Sequence, residues 1–474
     1  MRIAFLHYHL KPGGVSTVIR QQIEALAGRA ELLLITGEAP EEPPPVPTAV
    51  IPGIAYDRPG RKAESASAGT AAQAASEIRE AIYAQWPQGC DILHVHNPLL
   101  AKNQGLLDIL SMLQQKGLRL LLQVHDFAED GRPDVYYGQS PYPQNCHYCV
   151  INTRDRDRLL DAGLVRDGLH LLANMVRPFS LTRQKTIPES FVLYPVRAIR
   201  RKNIGEALLL SLFQEPGTRV AVTLPPNSMR DQALYNEWRQ FSDQKKLPVL
   251  FEAAQHYEFP DLVASARSFI TTSITEGFGF AYLEPWTAGQ LLAGRKLADI
   301  CKDFEEKGLR LDHLYERLEV PLSAFDADAF FAGWRDCIQK NAEKFGLEIE
   351  SWRIRESWLR ITRNSAMDFG LLDEATQRQV ITKALAEPKL CSHIQEKNPA
   401  LSRLTSVPDQ RARISENRQA VLDAYSQASY RETLEAIYSR VVQKRVVQQI
   451  DKKRLLRSFL QPENFSLLKW GNSI

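Results

Sequence analysis

The sequence has little of the chemistry that marks secreted, membrane-spanning or nucleic-acid-binding proteins. It holds six cysteines in 474 residues, too few and too irregularly spaced for a disulfide framework. Two of them, Cys146 and Cys149, form a CxxC, but no second pair follows at zinc-ribbon spacing. The surrounding Asn145–Asn152 reads better as a strand with buried structural cysteines, and a reducing, cytoplasmic setting is expected. No apolar run approaches the roughly 18 residues that a membrane span requires. Met1–Leu10 breaks its apolar character at His7 and His9, as expected of a buried first strand and not of a signal peptide. Net charge is only +3, and no long basic run interleaved with aromatics precedes the C-terminal third, so nucleic acid is not an expected partner.

What is present fits a globular protein: 44% hydrophobic and 24% charged residues in a chain too long for one ordinary core. The order of patterns predicts an α/β fold. Arg2–Leu6 reads as a buried strand, Gly13-Gly14 as a turn and Val15–Leu26 as a helix. Strands follow at Glu31–Thr36, Asp91–Asn97 and Arg119–Val124, the last ending at His125-Asp126. Helices are expected over Ala63–Trp86, Leu106–Gln115 and Asp155–Ala162. A linker between Pro178 and Pro188 precedes a second alternation, with strands at Phe191–Pro195, Val220–Leu224 and Val249–Phe251. These patterns give two Rossmann-like domains, expected to face each other across a cleft, at 1–180 and 190–305. A mainly helical insertion follows at 306–415, and closing helices at 416–474 are expected to return towards the first domain. Within them Glu432–Leu460 reads as one helix, whose basic run Lys444–Arg457 is a solvated face or a peripheral membrane contact.

The chemistry concentrates in the second domain. An apolar run, Ser268–Ile270, leads into small hydroxyl residues and then Glu276-Gly277-Phe278-Gly279, with Glu284 eight positions after Glu276 and a helical segment expected beyond the turn. A strand that ends in a glycine turn and opens a helix presents backbone N–H groups to an anion. Upstream, Arg197-Ala198-Ile199-Arg200-Arg201-Lys202 puts cations where a strand gives way to a helix, suited to a diphosphate. His7, His9, His96 and His125 all fall near strand carboxyl ends, where ligands of open α/β sheets bind. The first glycine turn lacks the full GxGxxG pattern, so a dinucleotide fingerprint is not supported.

At Gly13-Gly14, His125-Asp126, Arg197 with Lys202, and Glu276-x7-Glu284, the chain resembles the retaining GT-B glycosyltransferases of family 4. The resemblance covers about residues 1–300, and again about 420–441. It implies that Arg197 and Lys202 bind the donor diphosphate, that Glu276 holds sugar hydroxyls, and that Glu284 holds the ribose. It further implies that Gly277, Phe278 and Gly279 face sugar or phosphate, that His125 contacts the transferred sugar, and that Gly13 and Gly14 lie near phosphates and acceptor. The implied activity is metal-independent transfer from a nucleotide-diphosphate sugar to a hydroxyl acceptor, either small and soluble or a growing glycan, with no cofactor. A GT-B epimerase or phosphorylase, and a non-catalytic nucleotide-sugar-binding scaffold, are the alternatives. Two departures stand out: Pro285-Trp286 after the second glutamate, expected to bring Glu284 close to its helix start, and Gln290–Arg295 in place of a Pro-Val-Val strand. Residues 306–415 have no counterpart in the pattern, and self-association through them is open.

Overall fold

The structure is a computed structural model that describes residues 1–57, 68–179, 185–404 and 409–471. The expected helix start at Ala63 and part of the Pro178–Pro188 linker lie outside the described residues. The chain divides into two compact units, Met1–Met175 with Tyr425–Leu460, and Val176–Ala424 with Gln461–Ile474.

The first unit is built on a parallel sheet. Its strands are β1 (Arg2–His7), β2 (Glu31–Thr36), β3 (Thr48–Val50), β4 (Ile92–His96), β5 (Leu120–Val124), β6 (His147–Val150) and β7 (Leu169–Leu171). They lie in the order β3-β2-β1-β4-β5-β6-β7, with parallel pairing throughout. The strands read as near-continuous apolar runs because helices cover both faces. One face packs on the helices Ala68–Gln85 and Leu106–Gln115, around Ile78, Leu110 and Tyr148. The other packs on the helices Gly14–Ala25 and Gln427–Gln443, around Ile19, Ile23, Leu434 and Tyr438. Cys146 lies in the first core and Cys149 in the second. Side chains three apart on an extended chain point to opposite faces, so the CxxC cannot close on one metal.

The expected single helix Glu432–Leu460 is two helices, Gln427–Gln443 and Lys452–Phe459, joined by extended chain. Burial alternates residue by residue there: Val446, Gln448 and Ile450 are buried, Val447 and Gln449 exposed. The Gln448 side chain acts as a surrogate backbone. It donates to the carbonyls of Cys146 (2.6 Å) and Gly168 (3.1 Å) and accepts from the Val165 amide (3.0 Å). Gly168 is required beneath it, since a Cβ there would lie 2.4 Å from the Gln448 amide nitrogen. The basic run is therefore only partly a solvated face: Lys452 donates to the carbonyls of Tyr137 and Ser140 and sits 4.6 Å over the Tyr136 ring.

The second unit has a parallel sheet of β8 (Phe191–Arg197), β9 (Arg219–Leu224), β10 (Val249–Leu250), β11 (Phe269–Thr271) and β12 (Leu292–Gly294), ordered β10-β9-β8-β11-β12. Although Gln290–Arg295 departs from the family pattern, β12 forms in register with β11. Gly294 permits this with φ +107°, where a Cβ would come within 2.2 Å of the Thr271 carbonyl oxygen.

Residues 306–415 belong to this second unit. Their antiparallel pair, β13 (Glu319–Pro321) with β14 (Ala366–Asp368), is tied to the sheet through one arginine. Arg295 donates to Glu206 (2.6 and 2.9 Å) and to Asp368 (2.8 Å, twice). Asp368 also accepts from the Leu318 amide. The segment after Leu460 packs on the same unit, with the Trp334 indole donating to the Phe465 carbonyl at 2.9 Å.

Candidate functional site

Both sheets reverse strand order once, between β1 and β4 in the first unit and between β8 and β11 in the second. Connections at such a point leave in opposite directions and open a crevice at the strands' carboxyl ends. The sequence-predicted residues gather at these two places.

In the second unit, β8 carries Pro195, which lacks an N–H, and its pairing with β9 shifts register between Tyr194 and Arg197. A single 3-10 turn follows, Arg200–Lys202, and Asn203 takes a left-handed conformation (φ 53°) before the helix Ile204–Ser211. The loop after β11 is stitched to this turn. Tyr194 donates to the Lys202 carbonyl (2.6 Å), the Thr272 hydroxyl bonds the Lys202 and Asn203 carbonyls, and the Ile274 amide bonds the Arg201 carbonyl. These bonds bring Glu276 onto the basic turn. Its carboxylate accepts from the Lys202 ammonium and from Arg201 (2.8 Å), while Arg201 also bonds the Thr275 carbonyl at 3.0 Å. Burial works against ionisation of Glu276, but Lys202 and Arg201 outweigh it and hold the carboxyl at about 2. Burial also pulls Lys202 below its usual value, against the opposing pull of Glu276.

Glu284 behaves differently. Burial pushes its carboxyl up to about 7, with only Lys202 acting the other way. Two carboxyls eight residues apart thus have opposite electrostatics, one held as the anion and one near its midpoint at neutral pH.

The glycine turn opens a 3-10 turn, Phe280–Tyr282, and then a single helical turn, Glu284–Thr287, with Glu284 as its first residue. The longer helix expected there is absent because Pro285 stands in the first turn and Gly289 (φ +69°) leaves the helical region. A single turn lacks the aligned peptide dipoles of a long helix, so the cations provide the main positive charge. Gly279 is demanded by geometry: its φ is +100°, and a Cβ would sit 3.0 Å from Ile300 and 3.1 Å from Tyr282. Phe278 is buried and packs against Phe280 and Phe304, which makes it a prop of the turn. Gly277 adjoins Glu276 in the loop before the 3-10 turn.

Arg197, the last residue of β8, is exposed and donates to the Pro225 carbonyl at 3.0 Å. The pair on Glu276 is Arg201 with Lys202. Arg200 turns away into a bidentate bond with Glu374 (2.5 and 2.7 Å). Arg201 was missed in the sequence, where it was one of three consecutive cations without any period to distinguish it. The tight turn at Arg200–Lys202 sorts them.

In the first unit, Asn97 directly follows β4 with φ 57°, and its side-chain oxygen accepts from the amides of both His125 (3.1 Å) and Asp126 (3.0 Å). The His125 ring stacks on His96 at 5.4 Å, and their Nε2 and Nδ1 share a hydrogen bond of 3.1 Å. Burial lowers His125 to about 4, only partly opposed by Asp126, so it is a neutral hydrogen-bonding group near pH 7. His7 donates through Nδ1 to the His96 carbonyl and is lowered to about 3, chiefly by burial. Asn97, which orients the His-Asp pair, is legible in the sequence only as a polar residue at a strand end. Gly13 precedes the helix Gly14–Ala25, which has no side-chain cap and no acidic residue in its first turn. Cβ atoms at Gly13 or Gly14 would meet almost nothing, so their value lies in leaving room. A pocket of about 380 Å³ opens beside them, lined by Lys11, Ser16 and Arg20 and also by Glu38, Glu41 and Glu42, with Lys11 paired to Glu38.

No protein-family model matches the chain. A curated relative, the mannosylglucosyl-3-phosphoglycerate synthase of Petrotoga mobilis, is 26% identical over 415 residues, covering 77% of each chain. Among solved structures, a glycosyltransferase from Rickettsia africae aligns over 94% of this chain and 99% of its own, with TM-score 0.55 at 11% identity. Sucrose-phosphate synthase from Thermosynechococcus elongatus aligns over 93% and 98%, with TM-score 0.51 at 14% identity. Anabaena HepE in complex with UDP and glucose aligns over 92% and 99%, with TM-score 0.51 at 13% identity. The fold is that of the GT-B glycosyltransferases.

The curated synthase supports glycosyltransferase activity as the class of reaction. Among the described residues of the GT-B chain, no group of three or more His, Cys, Asp or Glu is placed to hold a metal ion, and no helix is long and apolar enough to cross a membrane.

Proposed function

We propose that the chain is a retaining, metal-independent glycosyltransferase that moves a sugar from a nucleoside-diphosphate donor to a hydroxyl of a small acidic acceptor. The observation that carries the reading is the Glu276 carboxylate clamped by Arg201 and Lys202 at the strand-order reversal of the second sheet, with Glu284 eight positions on.

In this reading Arg201 and Lys202 bind the donor diphosphate and stabilise the charge that develops on it as the glycosidic bond breaks. Fixed cations in a water-poor site contribute several kcal/mol to such a step. Arg197, at the end of β8, supplies further positive charge. Glu276, held ionised, accepts hydrogen bonds from sugar hydroxyls, and its bond to Lys202 sets the carboxylate's orientation. Glu284 accepts from the ribose hydroxyls. Gly279 fixes the loop so that Gly277 and its neighbours can approach the donor. His125, neutral and oriented by Asn97 and His96, donates to or accepts from the transferred sugar. The donor's own phosphate takes the acceptor proton on the face where the bond breaks, so no separate protein base is assigned. No cofactor beyond the donor is required. An acidic acceptor is supported by the phosphoglycerate in the relative's name and by the uncapped helix start at Gly14, which suits an anion.

The test is a panel of UDP-, GDP- and ADP-sugars with phosphorylated and neutral acceptors, the anomeric configuration of the product being read by NMR. Lys202→Ala is expected to lose at least a hundredfold in kcat/KM with an unchanged circular dichroism spectrum. Full transfer by that variant, or inversion at the anomeric carbon, refutes the corresponding part. Turnover without acceptor, or phosphorolysis of a disaccharide, would favour an epimerase or a phosphorylase.

A further inference from the structure

We infer that the first unit carries a second binding site, for a hydroxylated phosphate monoester, in the pocket between the edge strand β7 and the helix Gln427–Gln443. The pocket holds about 580 Å³, within the range of small-molecule sites. None of the residues assigned to sugar transfer lines it. Its floor is apolar, with Leu160, Leu169 and Ile437, and three guanidiniums border it: Arg156, Arg166 and Arg440.

Those guanidiniums are under-used by the protein. Arg156 bonds the carboxylate of its neighbour Asp157 at 3.1 Å. Arg166 and Arg440 make no close ion pair among the described residues; Asp167, the carboxylate beside Arg166, is bonded by Lys444 at 2.6 Å and feels Arg440 only as a more distant charge. Two forks without a close carboxylate and a third on one concave surface match a phosphate's oxygens.

His170 adds specificity. It lines the pocket yet is only 4% exposed, and a chain of hydrogen bonds fixes its tautomer. The Lys444 carbonyl can only accept, so His147 Nε2 carries a hydrogen and donates to it at 2.8 Å. Burial lowers the affinity of His147 for a second proton, so its Nδ1 is a bare acceptor. The bond between His147 Nδ1 and His170 Nε2, 2.9 Å long, must then take its hydrogen from His170. Burial first, and then His147 and Arg440, hold His170 down at about 4. His170 is accordingly neutral, and its Nδ1 presents a lone pair with no protein partner among the described residues. A lone pair beside guanidiniums calls for a donor on the same ligand that carries the anion. Hydroxyls meet that need, and the exposed Glu432 carboxylate at the border would accept from others.

A free sugar or polyol phosphate and the phosphorylated inositol headgroup of a lipid share this chemistry. The experiment uses the full chain with both sources: calorimetry with glucose 6-phosphate, and co-sedimentation with phosphatidylcholine vesicles containing phosphatidylinositol 4-phosphate. We expect saturable binding of at least one, unchanged in Lys202→Ala and at least tenfold weaker in the double variant Arg166→Glu/Arg440→Glu. Both of the latter positions are exposed, so a circular dichroism spectrum like wild type is expected. Binding in solution assigns the free compound, and binding to vesicles alone assigns the headgroup. For the probe that binds, the ¹⁵N resonance of His170 Nδ1 is expected to shift, and to shift less with inorganic phosphate. Absence of saturable binding of both probes at millimolar concentration overturns the site. So does binding that survives Arg166→Glu/Arg440→Glu, and binding lost in Lys202→Ala would return the ligand to the donor site.

Discussion

Replacing Arg295 with methionine should be among the most damaging single changes in the second unit. The guanidinium side chain is 4% exposed, and its partners Glu206 and Asp368 are 0% and 12% exposed. Four hydrogen bonds of 2.6 to 2.9 Å join them, and Tyr315 adds a fifth to Glu206 at 2.8 Å. Methionine fills much of the volume but leaves two buried carboxyls without their counter-charge. Breaking a buried pair from one side costs about 3–5 kcal/mol, which in a unit of this size lowers Tm by on the order of 10 °C. The loss should depend on pH with a definite sign. Orphaned buried carboxyls have folded pKa values raised above the unfolded ones, so the folded state binds more protons and gains stability as pH falls. The gap between wild type and Arg295→Met should therefore narrow between pH 7 and pH 5. Urea unfolding at several pH values measures it, and Glu206→Gln/Asp368→Asn in the Arg295→Met background should recover part of the loss. A loss under about 1 kcal/mol, or a gap that widens on acidification, would refute the reasoning. Because Asn203 bonds Glu206 at 2.7 Å and follows Lys202, donor KM should rise in the same variant.

Other expectations are narrower. Glu276→Gln should reduce kcat/KM at least a hundredfold while the protein still folds, and rates near wild type would remove Glu276 from the site. It should also lose the stability that the depressed carboxyl contributes: present above the unfolded pKa, this falls away as pH drops from about 4.5 towards about 2. Donor affinity should weaken as pH falls below about 7, where Glu284 takes up its proton, and Glu284→Gln should flatten that profile, as read by isothermal calorimetry with the nucleoside diphosphate. Gln448→Ala removes three side-chain hydrogen bonds from a buried position and should cost about 2–4 kcal/mol, measurable by urea unfolding. A cost under 1 kcal/mol would mean the extended segment is held by Val446 and Ile450 alone.

Local patterning made the Rossmann-like alternation legible. Apolar runs such as Leu32–Ile35 and Leu120–Leu122 are too short for buried helices and suit strands buried on both faces, with the helical periods between them as covers. Glu276 and Glu284 were also legible, because a glycine turn between two carboxylates is a short-range feature of the chain. The extended segment at Val446–Ile450 was not. Val446 and Ile450 stand four apart, as on a helix, and the buried residue between them is a glutamine whose partners lie about three hundred positions earlier.

The sequence by itself determined the strand and helix alternation, the glycine at position 279, and the presence of cations near a pair of carboxylates. Tertiary structure alone decided which cation serves which carboxylate. Arg200, Arg201 and Lys202 are adjacent and chemically alike, but one turn of 3-10 geometry sends Arg200 to Glu374 and its two neighbours to Glu276. It also decided that Glu276 is held as the anion while Glu284 lies near its midpoint, since that difference comes from burial and neighbouring charge, which a carboxylate acquires only in the folded chain.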